Sequence, residues 1–252
     1  MTAKVALVTG SGRRRIGWHV AQALAKRGYR LALHYHTSSA QAAEIVAEMR
    51  AAGIEAEAFG ANLSDDAAVR KLTSDALARF QQIDVLVHAA ATWKSMRLED
   101  VKASDVRGFF EANTLSTFLV CQHVGLAMTK NAMGGSIVTL GDWAVERPYL
   151  NYAAYFPSKG AIPTLTRTMA VELGSRNPRV RVNCILPGPV MLPLDLPKAE
   201  REAAVAGTLV KREGGPENIA LAVLHFIDND FVTGTCLPVD GGRTIYATDC
   251  EP

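Results

Sequence analysis

The sequence is short of the features that mark several protein classes. Its four cysteines, Cys121, Cys184, Cys236 and Cys250, lie far apart with no C-x-x-C pair, so neither a zinc site nor a disulfide framework is expected, only free thiols. No apolar run approaches the roughly 18 residues of a membrane span, and no membrane partner is expected. Charge of one sign is not in excess: 27 Lys and Arg face 25 Asp and Glu, a formal net charge of +2. That balance is too even for a nucleic-acid or membrane-surface protein. No Ser/Gly linker, charge block or internal repeat divides the chain. The strand-like run Lys4 to Thr9 begins almost at Met1, leaving little space for an export leader, and a reducing, cytoplasmic setting is expected.

What is present is an ordinary globular composition, 48% apolar and 21% charged, able to bury a large core. Short β-branched or apolar runs alternate with helical periodicity: strand Lys4 to Thr9, helix Ile16 to Arg27 stopped by Gly28, strand Arg30 to Tyr35, helix Ser39 to Ala52 closed by Gly53. Strand Glu55 to Gly60, helix Asp65 to Phe80 and strand Ile83 to His88 follow, then one long helix from Ser104, a suitable N-cap, to Lys130. The rest reads as strand Ser136 to Leu140, a helix within Ala153 to Leu173, strand Val180 to Leu186 and a last strand Thr235 to Val239. Seven strands with helical crossovers imply one α/β domain over residues 1–252, a doubly wound Rossmann-fold parallel sheet with helices on both faces. The prolines between Pro187 and Arg201 suggest a mobile flap over a pocket, around residues 188–210.

Between the first strand and helix stands Gly10-Ser11-Gly12-Arg13-Arg14-Arg15-Ile16-Gly17. A dinucleotide pyrophosphate meets exposed amides and the positive end of a helix there. The second strand ends His34-Tyr35-His36-Thr37-Ser38, without the acidic residue that would bond the ribose 2′-hydroxyl of NAD. Arg14, His36, Thr37 and Ser38 instead supply donors for a 2′-phosphate, so NADPH is expected over NADH. Further on, Tyr155 and Lys159 stand four residues apart, on one face if helical. An ammonium so placed is expected to lower the phenol's pKa and make it a proton donor.

With these landmarks the chain resembles, along nearly its whole length, the short-chain dehydrogenase/reductases. The resemblance rests on the turn Gly10 to Gly17, Asp84-Val-Leu-Val-His88-Ala-Ala, Asn113, Tyr155 with Lys159, Pro187-Gly188, Thr233-Gly234 and Val239-Asp240-Gly241-Gly242. It implies a cytoplasmic, usually homotetrameric NAD(P)H enzyme acting on a small molecule. Tyr155 would be the acid, Lys159 would bind the nicotinamide ribose, and Asn113 would hold a water of the proton relay. Most members carry a serine thirteen residues before the tyrosine, where this chain has Asp142. A carboxylate only accepts hydrogen bonds and repels a developing oxyanion; it suits a substrate with N–H donors or a nitrogen to be protonated.

That exchange resembles the pteridine-reductase branch, in which aspartate, tyrosine and lysine serve reduction of biopterin, folate or dihydropteridines. Arg15-Ile16-Gly17 resembles its arginine-containing turn, His34-Tyr35-His36-x-Ser38 its NADPH-phosphate strand end, and Trp93 falls where the branch stacks an aromatic on the pterin. The substrate set is then Arg15, Trp93, Asp142 and Tyr155. The resemblance also places Asn62, Leu63, Ala89, Ala90, Ala91, Pro187, Gly188 and Val190 beside the cofactor; no metal is expected. Departures are an extra residue between Gly10 and Arg15, Asn62 for an aspartate, and His88-Ala89-Ala90-Ala91 for Asn-Asn-Ala-Gly. Which arginine faces the phosphates stays open. Pro157 is tolerated if the helix starts near Tyr155, but Pro163 predicts a kink or break. The rivals are a carbonyl reductase, such as one acting on 3-oxoacyl thioesters, and a non-catalytic NADPH-binding regulator.

Overall fold

The computed structural model describes residues 3–246; Cys250 lies outside them. Strands β1 (Val5–Thr9), β2 (Arg30–Tyr35), β3 (Ala56–Gly60), β4 (Val85–His88), β5 (Gly135–Leu140), β6 (Val180–Pro187) and β7 (Cys236–Val239) form one parallel sheet. Their order is β3-β2-β1-β4-β5-β6-β7. The chain winds outward to β3, then returns to lay β4 beside β1, so the winding reverses between β1 and β4. Such a switch point opens a crevice at the carboxyl ends of those strands.

Burial on both faces explains the unbroken apolar runs. In β1, Val5 and Leu7 pack with Leu72, Phe80, Val120, Ile137 and Leu173, while Ala6 and Val8 pack with Leu24, Leu31, Ile45 and Val223 on the opposite face. The first face is covered by α3 (Asp66–Phe80), α5 (Ser116–Thr129) and α6 (Phe156–Gly174). The second is covered by α1 (Ile16–Lys26), α2 (Ser39–Ala51) and α8 (Pro216–Asp228). Gly28 and Gly53 end α1 and α2 at φ +80° and +79°, the left-handed conformation glycine adopts without strain. Asp65 caps α3 by accepting from the Ala68 amide at 3.1 Å.

Four expectations need correction. The long helix expected from Ser104 begins at Ala103, with the Asp105 carboxylate accepting from the Lys102 amide at 2.8 Å. It is also not one α-helix: α4 (Ala103–Phe109) passes through a π-helical turn, Phe110–Leu115, into α5. Periodicity alone does not register one extra residue per turn. Second, the break allowed for at Pro163 does not occur, since α6 continues through it; Ile162, Pro163, Thr166 and Met169 are all buried, and this packing offsets the lost amide donor and the ring's clash with the carbonyl of Lys159. Third, the flap is not all loop, because Lys198–Ala206 forms a helix, α7. Arg201 on it pairs with Glu213 and donates to the Pro193 carbonyl at 2.7 Å. Fourth, α8 was overlooked, although Pro216 opens it and Ile219, Val223 and Phe226 recur at helical spacing.

Candidate active site

The glycine turn is held by its neighbours, with the Gly10 amide donating to His34 Nδ1 at 3.2 Å. Gly10 has φ +66°, and a Cβ there would stand 2.9 Å from the Cα of Ala90; one on Gly17 would stand 2.9 Å from the Gly10 carbonyl oxygen. Thr9 Oγ1 accepts from the amides of Ala89 (3.1 Å) and Ala90 (3.2 Å), tying β1 to the end of β4. The Ser11 hydroxyl donates to the Val8 carbonyl at 2.7 Å, and the Ser11 and Gly12 amides donate to the His34 carbonyl. Arg15 precedes α1 without a side-chain cap, leaving first-turn amides for an anion. These features fit a pyrophosphate: a side-chain-free approach, free amides and a switch point.

The flanking residues divide. Arg13, Arg15, His36 and Thr37 are exposed around the turn. Arg14 is engaged, pairing with Glu48 of α2 and lying 4.9 Å from the Trp18 ring centroid. Tyr35 packs its ring against Gly60 and its Cβ against Gly12, and Ser38 precedes α2. Asn62 turns its Oδ1 onto the Ser64 amide at 3.1 Å. Leu63 is buried, so its side chain belongs to the core. Ile16 packs partly under the sheet. At the other end, Pro187 closes β6, Gly188 donates to the Val239 carbonyl at 3.0 Å, and Val190 bridges to Gly214.

Beside this crevice the reactive side chains converge. Asp142, between β5 and a 3₁₀ turn, accepts from the Ala144 amide at 2.9 Å through Oδ1 and from the Tyr155 hydroxyl at 2.8 Å through Oδ2. Lys159 is buried and donates to the Leu140 carbonyl at 2.8 Å. An ammonium has three donors, so two remain for a ligand. Asn113 lies in the π turn: its amide donates to the Thr92 carbonyl and to Ser158 Oγ, both at 3.0 Å, and accepts from the Thr92 amide at 2.9 Å. Both its donors are taken by protein, and only Oδ1 keeps acceptor capacity. Ser158 in turn donates to the Tyr155 carbonyl at 2.7 Å. Ser158 was not singled out in the sequence; it couples the π turn to the start of α6.

The electrostatics reverse one expectation. Burial pushes the Tyr155 phenol up, and the charge of Asp142 and its hydrogen bond push it further; Lys159 does not lower it. The ammonium was expected to govern the phenol from sequence spacing, but the carboxylate is the charge hydrogen-bonded to it. Burial raises Asp142 above the usual carboxylate range, against the bonds from Ala144 and Tyr155. Burial lowers Lys159, with Asp142 opposing. Burial thus favours the protonated form of both groups.

Aromatic rings surround this pair. Trp93 is 47% exposed, so it is no core filler, and its ring lies 5.7 Å from that of Tyr152. Tyr152 is 6.1 Å from Tyr155, and Tyr149 stacks on Trp143 at 5.9 Å. Tyr149 and Tyr152 escaped notice because nothing in their local spacing distinguishes them. Two buried histidines lie behind the crevice. His88, with Nδ1 3.0 Å from Thr9 Oγ1, is brought down to about 3, and His34, against the Gly10 amide and Ala61 carbonyl, to about 4, in each case mainly by burial. They stay neutral in the fold while the unfolded chain protonates them near 6.5. Their stabilisation is complete above that value and is lost as pH falls from 6.5 toward 3 to 4. The expected slope is about 2.7 kcal/mol per pH unit for both together. Urea melts across that range should show it, and His88→Gln should halve it.

A family described as enoyl-(acyl carrier protein) reductase matches residues 11–244. The chain belongs to the short-chain dehydrogenase/reductase family. The chain is 32% identical to 3-oxoacyl-[acyl-carrier-protein] reductase of Synechocystis over 98% of its length and 99% of the relative's. It is 29% identical to pteridine reductase 1 of Leishmania tarentolae over 97% of each. A blue fluorescent protein from a metagenomic library, solved with NADPH, superposes with TM-score 0.86 at 31% identity, covering 95% of this chain and 97% of that one. The family is one of NAD(P)H oxidoreductases acting on small molecules. Among the described residues no helix is long and apolar enough to cross a membrane, and no cluster of three metal-ligating side chains occurs.

Proposed function

We propose that this short-chain reductase uses NADPH to reduce a pterin-like substrate, a dihydropteridine, biopterin or folate, or a related C=N or C=C bond. The observation that carries the reading is the 2.8 Å contact between the Tyr155 hydroxyl and Asp142 Oδ2, an acid where most of the family keeps an alcohol. Asp142 accepts from the amino and ring N–H groups of a flat heterocycle. Tyr155, sharing its proton with Asp142, delivers a proton to the reduced bond. Trp93 and Tyr152 offer ring faces against which the heterocycle stacks.

The cofactor, when bound, supplies a hydride. Gly10, Gly17 and the first-turn amides of α1 hold its pyrophosphate. Arg13 and Arg15, free of the Glu48 pairing that engages Arg14, together with His36, Thr37 and Ser38, take the 2′-phosphate. Lys159 holds the nicotinamide ribose, and Asn113 accepts from a relay water through Oδ1. The backbone of Asn62, Leu63, Ala89, Ala90 and Ala91 borders the adenosine side, and Pro187, Gly188 and Val190 the nicotinamide side.

A screen of NADPH oxidation with dihydrobiopterin, dihydrofolate, quinonoid pterins and acetoacetyl thioesters tests the reading. Pterins should turn over, and kcat/KM should exceed that with NADH by about 10- to 100-fold, the worth of one charge-assisted phosphate contact. The second reading, 3-oxoacyl thioester reduction, is favoured by the Synechocystis relative; turnover of acetoacetyl thioesters alone would select it. Tight NADPH binding without any turnover would select the regulator. For assembly and setting we carry forward a cytoplasmic homotetramer. Phe110, Leu115 and Phe118, each more than a third exposed, line an apolar hollow beside α6 that suits a second copy, and light scattering reads the mass.

A further inference from the structure

Two of the three described cysteines are not scattered in space. Cys184 on β6 and Cys236 on β7 are direct register partners. Paired residues of neighbouring parallel strands project to the same face, and strands about 4.8 Å apart fall within the roughly 4.4–6.8 Å Cα spacing that a disulfide accepts. That face is the one under α6: Cys184 packs with Ile162 and Leu186, and Cys236 joins the same cluster. Ile162 lies one helical turn after Lys159. On its other side Cys184 Sγ is 3.2 Å from where a Cβ on Gly141 would stand, and Gly141 leads directly into Asp142.

The two thiols differ in ways that suit stepwise oxidation. Cys236 is half-buried on the edge strand, whereas Cys184 has no exposure. The hydrogen bond from Cys236 draws the Cys184 thiol down to about 7, with Lys159 contributing in the same direction. The same bond holds the Cys236 thiol up. Cys121, by contrast, is fully buried and pushed up to about 12 by that burial.

We propose that Cys184 and Cys236 form an oxidisable dithiol, and that closing their disulfide beneath α6 weakens cofactor binding at Lys159. Once its proton has passed across the shared hydrogen bond to the Cys184 thiolate, Cys236 takes one oxygen from a hydroperoxide, giving a sulfenic acid and an alcohol or water. Cys184 then attacks that sulfur, forming the S–S bond as hydroxide leaves and takes up the thiol proton as water. The protein loses two protons and two electrons, and the peroxide O–O bond is the oxidant reduced. In a reducing compartment such bonds are transient and sensory. Only the consequence at Lys159 rests on its reading as a cofactor contact.

The test treats the full chain with hydrogen peroxide and follows intact mass, peptide mapping and NADPH binding by fluorescence. The expected result is a crosslinked Cys184–Cys236 peptide pair and an NADPH Kd raised about tenfold, the equivalent of 1.4 kcal/mol. Dithiothreitol should restore the Kd, and Cys236→Ser should bind NADPH normally with or without peroxide. No crosslink, a crosslink through Cys121 or Cys250 instead, an unchanged Kd in the crosslinked protein, or an equal loss in Cys236→Ser would each overturn the proposal. Failure of the reduced enzyme to bind NADPH would instead discard the cofactor reading, and the peptide map would still judge the dithiol.

Discussion

Tyr155→Phe should lower kcat by about 10²- to 10⁴-fold, the usual contribution of a positioned general acid, while NADPH binding stays within a few-fold of the parent. The ring itself is retained, so its packing against Phe109 and Tyr152 survives. What is lost is the hydroxyl whose oxygen lies 2.8 Å from Asp142 Oδ2. Steady-state kinetics with a substrate found in the screen, alongside a fluorescence titration of NADPH, separates the two quantities. Retained turnover would remove Tyr155 from the acid role. Loss of cofactor binding would point to a collapsed site.

Asp142→Ser should move the substrate profile. With a hydroxyl in place of the carboxyl, the site gains a donor for a carbonyl oxygen and loses the acceptor for N–H groups. Pterin turnover should fall by about 10²- to 10³-fold, the scale seen when one preorganised polar partner is removed, and ketone or thioester reduction should rise. The substitution also leaves the buried Tyr155 hydroxyl without its acceptor, at a stability cost of about 1–3 kcal/mol. A thermal melt of the variant therefore distinguishes a re-specified site from an unfolded one. A well-folded variant with an unchanged profile would sink the pterin reading. Burial lifts Asp142 above the usual carboxylate range. The fold contribution of its proton is present at low pH and is lost as pH rises through the raised value.

The sheet was legible because its inner strands are buried on both faces, which makes a run such as Val5 to Thr9 apolar without alternation. The glycine turn was legible for a different reason: Gly10 and Gly17 tolerate no Cβ, so the chain must write glycine there. The π turn around Asn113 and the continuity of α6 through Pro163 were not legible. In both, packing from neighbouring elements overrides the local preference of the backbone. The aromatic ring of Tyr149 and Tyr152 and the bridge by Ser158 escaped for a related reason, since their meaning lies in which distant residues they touch.

Local chemistry, then, was enough to dictate a wound parallel sheet, a phosphate-ready turn and the identity of the residues that bear protons. Which of those residues governs which was a matter of three-dimensional distance. Lys159 is four positions from Tyr155 along the chain, yet it spends a donor on Leu140 while Asp142, thirteen positions away, accepts the phenol's hydrogen bond. Electrostatic energy depends on separation and on how much water lies between two groups, and the order of residues in a chain encodes neither until the folding is complete.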